Sequence, residues 1–156
     1  MVSATGHERA DGPRPALRQT AMSAVVMLDT NAVVALINGQ SSALEHYVRR
    51  RPVCISAITA AELRYGLACR PAGPGLRQVV EGLLATIEIL PWTAACAETY
   101  AELRTRLEAE GKTLGALDLL IAAQARAAHC PLITAEPGFA AVPGLDVVDW
   151  SAEPAP

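Results

Sequence analysis

Three acidic residues, Asp29, Glu62 and Asp118, stand in apolar surroundings where a chain shaped only by stability would avoid a charge. Asp29 directly follows the apolar run 25–28, and the other two have mostly small or apolar neighbours three and four positions away. An isolated buried carboxylate is strongly destabilising unless it is paired, neutralised or bound to a metal ion. These acids therefore indicate a polar site rather than ordinary surface charge.

Taken singly, each acid also has a structural explanation. Asp29 and Asp118 could cap helices, and Glu62 could be a solvated helix residue. Their shared topology favours a common site, because Asp29 follows one predicted strand, Glu62 lies in the helix after the next, and Asp118 opens another helix. Glu136 comes just after a further strand that ends at Thr134. In a parallel sheet these positions gather at the carboxyl edge, where open α/β folds bind ligands.

Such a cluster predicts a divalent metal ion, because neighbouring carboxylates repel one another and a cation removes that conflict. The His and Cys residues form no cluster, and ligation by oxygen alone suits Mg²⁺ or Mn²⁺. An ion of this kind can activate water as a nucleophile and stabilise the charge on a phosphodiester under attack. Three polar residues are candidates for orienting the acids, although capping explains Thr30 equally well: Asn31, Thr134 and Thr30. The catalytic candidates are Asp29, Glu62, Asp118 and Glu136.

The elements that position these acids are short apolar strands alternating with helices. Strands are predicted at 25–28, 52–56, 87–90, 131–134 and 145–148. Helices are predicted at 32–37, with 29–31 as its capping segment, and at 41–50, 57–69, 76–85, 93–110 and 117–129. Strands separated by helices imply right-handed crossovers and a largely parallel sheet that is covered on both faces. The predicted fold class is therefore α/β, a three-layer α/β/α sandwich with a mostly parallel central sheet.

The length of 156 residues fits one domain, which we place at 22–150. Residues 1–21 are interpreted as a disordered tail or a start-site or expression extension, and 151–156 as a flexible C-terminal tail. No apolar run is long enough to cross a membrane, and no export signal precedes the domain. The four scattered cysteines are therefore interpreted as reduced thiols, and we expect a cytoplasmic protein.

The net charge of −3 argues at first against a nucleic-acid partner, but an acidic metal site would account for the excess. The charge alone therefore decides nothing. Arg64, two residues after Glu62, is a candidate for RNA binding or for an intramolecular salt bridge, and the sequence slightly favours the salt bridge.

The acids lie in three motifs that occur in a fixed order: Leu28-Asp29-Thr30-Asn31, Ala61-Glu62-Leu63-Arg64-Tyr65-Gly66 and Leu117-Asp118-Leu119-Leu120-Ile121-Ala122-Ala123. The ordered set resembles the PIN-domain ribonucleases, and most closely the VapC-type toxins of type II toxin–antitoxin systems. A single Asp-Thr-Asn would be weak evidence, but the ordered set with these flanks is specific. The resemblance extends from about Met27 to Trp150, nearly the whole predicted domain.

The resemblance implies a PIN-like domain and an endoribonuclease that depends on Mg²⁺ or Mn²⁺. It also implies a homodimer, and inhibition by a small cognate antitoxin that occupies a groove beside the active site. By position, Asp29, Glu62 and Asp118 would be the principal metal-site acids. At the fourth position the family usually has Asn or Asp, and Glu136 stands there instead.

Other α/β proteins fit the sequence less well. A dinucleotide-binding or P-loop domain needs a glycine-rich turn after its first strand, where this chain has Asp29-Thr30-Asn31. A receiver domain needs a Lys near its last strands, and a dehalogenase-type phosphatase needs a second Asp at the position of Asn31. One alternative stays open: a catalytically degenerate PIN-like module that acts by binding RNA or a protein partner.

Overall fold

The strands of the sheet are separated along the chain by helices, an arrangement that lets all of them run parallel. In this computed structural model, which describes residues 25–69, 71 and 73–152, the strands are β1 (Val26–Leu28), β2 (Val53–Ser56), β3 (Glu88–Leu90), β4 (Leu132–Thr134) and β5 (Val147–Asp149). They pair in the order β3-β2-β1-β4-β5, and every pair is parallel. The predicted α/β class is confirmed, and the sheet is wholly parallel in the described part of the chain.

The helices of the described residues connect these strands. They are α1 (Thr30–Ile37), α2 (Ser42–Val48), α3 (Ala57–Cys69), α4 (Pro74–Thr86), α5 (Ala94–Ala109) and α6 (Ala116–Ala127), with a short 3-10 helix at Pro137–Ala141. Asp29 caps α1 and Ser41 caps α2, and each side chain accepts a hydrogen bond from a backbone N–H of the first turn. Local capping therefore explains where these two helices begin.

The sheet separates two layers of helices. Successive side chains of a strand point to opposite faces, so Val26 and Leu28 pack with α1 to α4, whereas Met27 packs with α5 and α6. All three are at most 2% exposed. The predicted three-layer sandwich is confirmed, and its central strand β1 delivers Asp29 to a buried position.

Several boundaries differ from the prediction by one or two residues, and two of these differences have a clear local cause. α4 begins at Pro74 rather than at residue 76, because proline is well tolerated at the first helical position, where its missing N–H has no helical partner to lose. β5 begins at Val147 rather than at residue 145, because the chain first turns through Gly144 with a φ of 70°. Neither difference moves a predicted site residue to another element.

Some predictions fall beyond the described residues. The predicted tail 1–21 lies outside them, as do residues 22–24 of the predicted domain and 153–156 of the predicted C-terminal tail. Within the described part of the chain, none of the helices has the length and apolar character needed to cross a membrane. The four cysteines are all described and all free.

Candidate carboxylate site

Asp29 is the most deeply buried acid of the site, with only 2% of its surface exposed. Its Oδ1 accepts a 2.6 Å hydrogen bond from the backbone N–H of Ala32. Its Oδ2 accepts a hydrogen bond from the hydroxyl of Thr134, which ends the neighbouring strand β4. The carboxylate is therefore held across the ends of two adjacent strands, with one oxygen bound to backbone and the other to a hydroxyl.

Glu136 is fixed to the same strand end. Its backbone N–H donates to the Thr134 hydroxyl at 2.9 Å, so this hydroxyl both donates to Asp29 and accepts from Glu136. The Oε1 atom of Glu136 accepts a 3.2 Å hydrogen bond from the Gly138 N–H and caps the 3-10 helix. Glu136 therefore has a local capping role, which was not predicted from the sequence.

Glu62, on α3, is tied to the first residue of α1. The Thr30 hydroxyl donates a hydrogen bond to Glu62 Oε2, and its Oγ1 lies 3.4 Å from the hydroxyl oxygen of the buried Thr59. These contacts bring the start of α1 and the first half of α3 together. Thr30 thus contacts a predicted site residue, in addition to opening the helix that Asp29 caps.

Asp118 lies in the first turn of α6 and is half-buried. An acid in this turn interacts favourably with the helix dipole. Gly115, the residue before α6, is so close that a Cβ on it would lie 3.0 Å from Asp118 Oδ2. Asp118 therefore fits its helix sterically and electrostatically, but the dipole does not explain why other acids lie nearby.

The four acids influence one another electrostatically. Burial raises the pKa of Asp29 to about 6, although the hydrogen bonds from Thr134 and Ala32 lower it, and the charges of Asp118 and Glu136 raise it further. Burial also raises the pKa of Asp118, and the charges of Glu62 and Glu136 add to the increase. Asp118 therefore interacts electrostatically with each of the other three, and the four predicted acids form a set of neighbouring charges around it.

The chemistry of this cluster fits a hard divalent cation. Its donors are all oxygens, and a cation would relieve both the desolvated charge of Asp29 and the repulsion around Asp118. Within the described residues, however, no three acid, imidazole or thiol side chains converge closely enough to share one ion. Asp29 and Glu62 are instead bound to Thr134 and Thr30. Coordination by three acids would therefore require side chains to rotate from these positions.

Two residues predicted from the sequence make no hydrogen bond or ion pair with the four acids. Asn31 is exposed in the first turn of α1, and its side chain forms no hydrogen bond within the described residues. Arg64 is exposed on α3 and forms no ion pair with any residue that the structure describes. The intramolecular salt bridge that the sequence slightly favoured for Arg64 is therefore not formed there.

A buried amide beside the site was missed. Gln124, which is 1% exposed, accepts a 2.5 Å hydrogen bond from the Ser56 hydroxyl at the end of β2. Its Nε2 atom donates to the carbonyls of Leu90 and Pro91 at 2.7 and 3.0 Å. These bonds fasten α6, which carries Asp118, to the ends of β2 and β3. A signal was present, since Gln124 is the one polar residue in the apolar run 119–125.

The Thr134→Val variant is expected to raise the pKa of Asp29 above about 6, because the hydroxyl that stabilises its ionised form is lost. We expect a loss of about 1.5–3 kcal/mol in unfolding free energy at neutral pH, the range for a hydrogen bond to a charged group. The loss should shrink below pH 4, where Asp29 is protonated. Carboxyl NMR titration and urea unfolding measure the two effects. Thr134→Ser keeps the hydroxyl and serves as the control; an unchanged Asp29 pKa in the Val variant would contradict this prediction.

The chain is similar to one family of known proteins over most of its length. The model of the PIN domain family matches residues 26–145. Ribonuclease VapC2 of Rickettsia felis is 34% identical over 131 residues, covering 81% of this chain and 98% of that protein. The tRNA(fMet)-specific endonuclease VapC of Shigella flexneri is 33% identical over 128 residues, covering 80% of this chain and 97% of that protein.

Solved structures agree with these relatives. The VapBC2 complex of Rickettsia felis, bound to a DNA fragment from its promoter, matches with a TM-score of 0.75 at 32% identity, covering 81% of this chain and 99% of that chain. DNA-bound VapBC of Salmonella typhimurium also gives 0.75, at 29% identity over 83% of this chain and 99% of that chain. The chain therefore belongs to the PIN-domain family, in its VapC ribonuclease branch. Ribonucleases of this family generally depend on a divalent metal ion.

Proposed function

We propose that this chain is the toxin of a toxin–antitoxin pair, an endoribonuclease that hydrolyses RNA phosphodiester bonds with the help of Mg²⁺ or Mn²⁺. Asp29, Glu62 and Asp118 hold the ion in this proposal, and Glu136 adds negative charge beside them. Membership in the VapC branch supports the reaction class. RNA as substrate and free thiols both suit action in the cytoplasm.

The main support for the proposed metal site is the electrostatic environment of Asp118. Its charge interacts with those of Asp29, Glu62 and Glu136, three acids that come from different parts of the chain. A protein without a cation would gain stability by replacing some of these acids with neutral residues. The loss of stability caused by their mutual repulsion supports a role for these acids in binding a cation.

The residues of the chain have distinct tasks in this proposal. Thr134 and the Ala32 N–H orient the two oxygens of Asp29, while Thr30 orients Glu62 until the ion is bound. A bound divalent ion would supply Lewis-acid stabilisation of the charge that develops on the phosphodiester and would activate water for the attack. The exposed Arg64, unpaired among the described residues, is available to bind an RNA phosphate near Glu62.

The proposed protein partners are a cognate antitoxin and a second copy of the chain. Solved neighbours from Rickettsia felis and Salmonella typhimurium are VapBC complexes, which supports the antitoxin. Three large apolar side chains on α3 and α4 are unusually exposed: Tyr65 at 71%, Leu76 at 47% and Val79 at 52%. Such side chains suit a protein–protein interface better than open solvent.

A cleavage assay on a mixed pool of structured and single-stranded RNA tests the proposal. We expect cleavage with Mg²⁺ or Mn²⁺ that EDTA abolishes and added ion restores. Asp118→Asn should reduce the rate by roughly 10²–10³-fold, the loss expected when one electrostatic contribution to the transition state is removed. Glu98→Gln is a matched acid-to-amide control. Glu98 is exposed and lies beside Pro131 and Asp146, which precede β4 and β5, so it is at the opposite edge of the sheet from the proposed site.

The outcomes separate the candidate functions. Cleavage that persists in EDTA, or in Asp118→Asn at the level of Glu98→Gln, would contradict the carboxylate metal site. If neither ion supports cleavage, the degenerate binding module becomes the better explanation. Purifying the chain with the product of a neighbouring short reading frame tests the antitoxin separately.

A further inference from the structure

Gly115, the residue before α6, lies against the carboxylate that α6 contributes to the site. Its φ of −53° and ψ of 147° are accessible to any residue, so the backbone does not require glycine here. A Cβ on Gly115 would lie 3.0 Å from Oδ2 and 3.7 Å from Cγ of Asp118. A Cβ at position 115 would therefore crowd the carboxylate of Asp118, which would have to shift by a few tenths of an ångström to make room.

The backbone around Gly115 cannot easily move away. The Leu119 N–H donates to the Gly115 carbonyl at 2.8 Å, which is the first hydrogen bond of α6. On the other side, Leu114 packs so tightly on Gly138 that a Cβ at 138 would lie 2.8 Å from Leu114 Cδ1. Because the segment has contacts on both sides, the carboxylate at the end of the Asp118 side chain is the group that moves more readily if Gly115 gains a Cβ.

Helix stability does not account for the glycine either. Gly115 occupies the N-cap position of α6 and forms no side-chain capping bond there. Asp29 and Ser41 make such bonds at the N-caps of α1 and α2. Serine is a better N-cap than glycine, so a residue chosen only for the helix would differ from the one present.

We infer that Gly115 is a positioning residue for Asp118: its missing side chain leaves room for the carboxylate to lie over the start of α6, near the other acids. The inference rests on the proposed function, in which Asp118 belongs to the metal site. A Cβ at position 115 displaces the carboxylate from this position. The consequence is weaker metal binding and slower cleavage in a chain that remains folded.

Three variants of the full chain test this inference. Gly115→Ala introduces the Cβ. Gly115→Ser introduces the same Cβ and also a good capping hydroxyl, so it separates carboxylate displacement from helix capping. Gly82→Ala is the matched control, because Gly82 lies in α4 with open space where a Cβ would stand. Mn²⁺ affinity is measured by calorimetry, RNA cleavage by gel, stability by thermal unfolding of the metal-free protein, and side-chain position by crystallography.

Both Gly115 variants are expected to lose roughly 10–100-fold in Mn²⁺ affinity and in cleavage rate, the loss typical of residues that orient metal ligands. The melting temperature of Gly115→Ser should equal or exceed that of the wild type. In a crystal structure of Gly115→Ala, the Asp118 carboxylate should be displaced from residue 115. Gly82→Ala should bind Mn²⁺ and cleave RNA like the wild type.

Several results would overturn the inference. Wild-type Mn²⁺ affinity in Gly115→Ser would show that a Cβ is tolerated at position 115, and that this residue affects the site through helix capping rather than through the space it leaves for the carboxylate. A further loss of similar size when Gly115→Ala is added to Asp118→Asn would show that it acts through another residue. If the wild type cleaves RNA and Gly115→Ala does so equally well, this inference alone fails. If the wild type neither binds Mn²⁺ nor cleaves RNA, the proposed function fails and takes this inference with it.

Discussion

The Asp29→Asn variant is expected to lose metal-dependent RNA cleavage and yet to be more stable than the wild type at neutral pH. Losing about 4 kcal/mol of Lewis-acid stabilisation corresponds to a rate reduction of roughly 10³-fold. The amide has nearly the shape of the carboxylate, and its oxygen can still accept the hydrogen bond from the Ala32 N–H. Its NH₂ group, in the place of Oδ2, can donate to the Thr134 hydroxyl, which has two acceptor sites, so this contact is kept with its direction reversed. Its lack of charge is therefore the main difference.

The gain in stability follows from the raised pKa of Asp29. The pKa is about 6 in the folded chain against an ordinary 3.8, so the folded state binds the proton more tightly than the unfolded state. The resulting stabilisation is fully present below pH 3.8 and is lost as the pH rises through 6. The ionised carboxylate then destabilises the metal-free fold by at most about 3 kcal/mol. An asparagine avoids this cost.

Urea unfolding of the metal-free proteins at pH 5 and pH 8 tests this reasoning. The stability advantage of Asp29→Asn over the wild type should be larger at pH 8. Added Mn²⁺ should raise the melting temperature of the wild type but not of the variant, because only the wild type binds the ion tightly in the folded state. Asp146→Asn, at an exposed aspartate, is the control and should change neither property. Equal stabilisation of both proteins by Mn²⁺ would rule out Asp29 as a ligand.

The Phe139→Ala variant is expected to lose about 3–5 kcal/mol of unfolding free energy, the usual cost of truncating a buried phenylalanine. Phe139 is 0% exposed, is the largest fully buried side chain among the described residues, and packs in the layer that contains α5 and α6. It also lies in the 3-10 helix that Glu136 caps. The truncation should therefore loosen Glu136 and slow cleavage as well.

Denaturant titration measures the loss of stability, and cleavage is compared at a temperature where both proteins are folded. Phe139→Leu keeps most of the volume and should cost only about 1.5 kcal/mol or less. A loss below about 1 kcal/mol in Phe139→Ala would mean that the surroundings collapse to fill the cavity. The 3-10 helix would then not depend on this ring.

The parts of the fold that could be predicted are those encoded locally. The apolar run before Asp29 predicted β1, and Asp29 itself predicted the start of α1, because strand burial and helix capping depend on neighbours in sequence. The parallel arrangement followed from the alternation of strands and helices. Asp118 was predictable as a site candidate because its helical neighbours are apolar, a property that the sequence alone shows.

The parts that could not be predicted depend on contacts between distant residues. Ser56 and Gln124 are separated by 68 positions, and no local pattern reveals that they meet. Gly115 and Gly138 closely approach the side chains of Asp118 and Leu114, and no local sequence pattern reveals these contacts. Glu136 was expected only as a site acid, and its capping of the 3-10 helix depended on a turn that was not foreseen.

The shortness of the two edge strands has a consequence for recognition. β3 and β5 each contain three residues, so they expose few unpaired backbone N–H and C=O groups along their outer sides. A partner that bound by extending the sheet would gain only a few hydrogen bonds. Sheet extension would therefore contribute little to the affinity of a protein partner, and side-chain contacts would have to supply most of it.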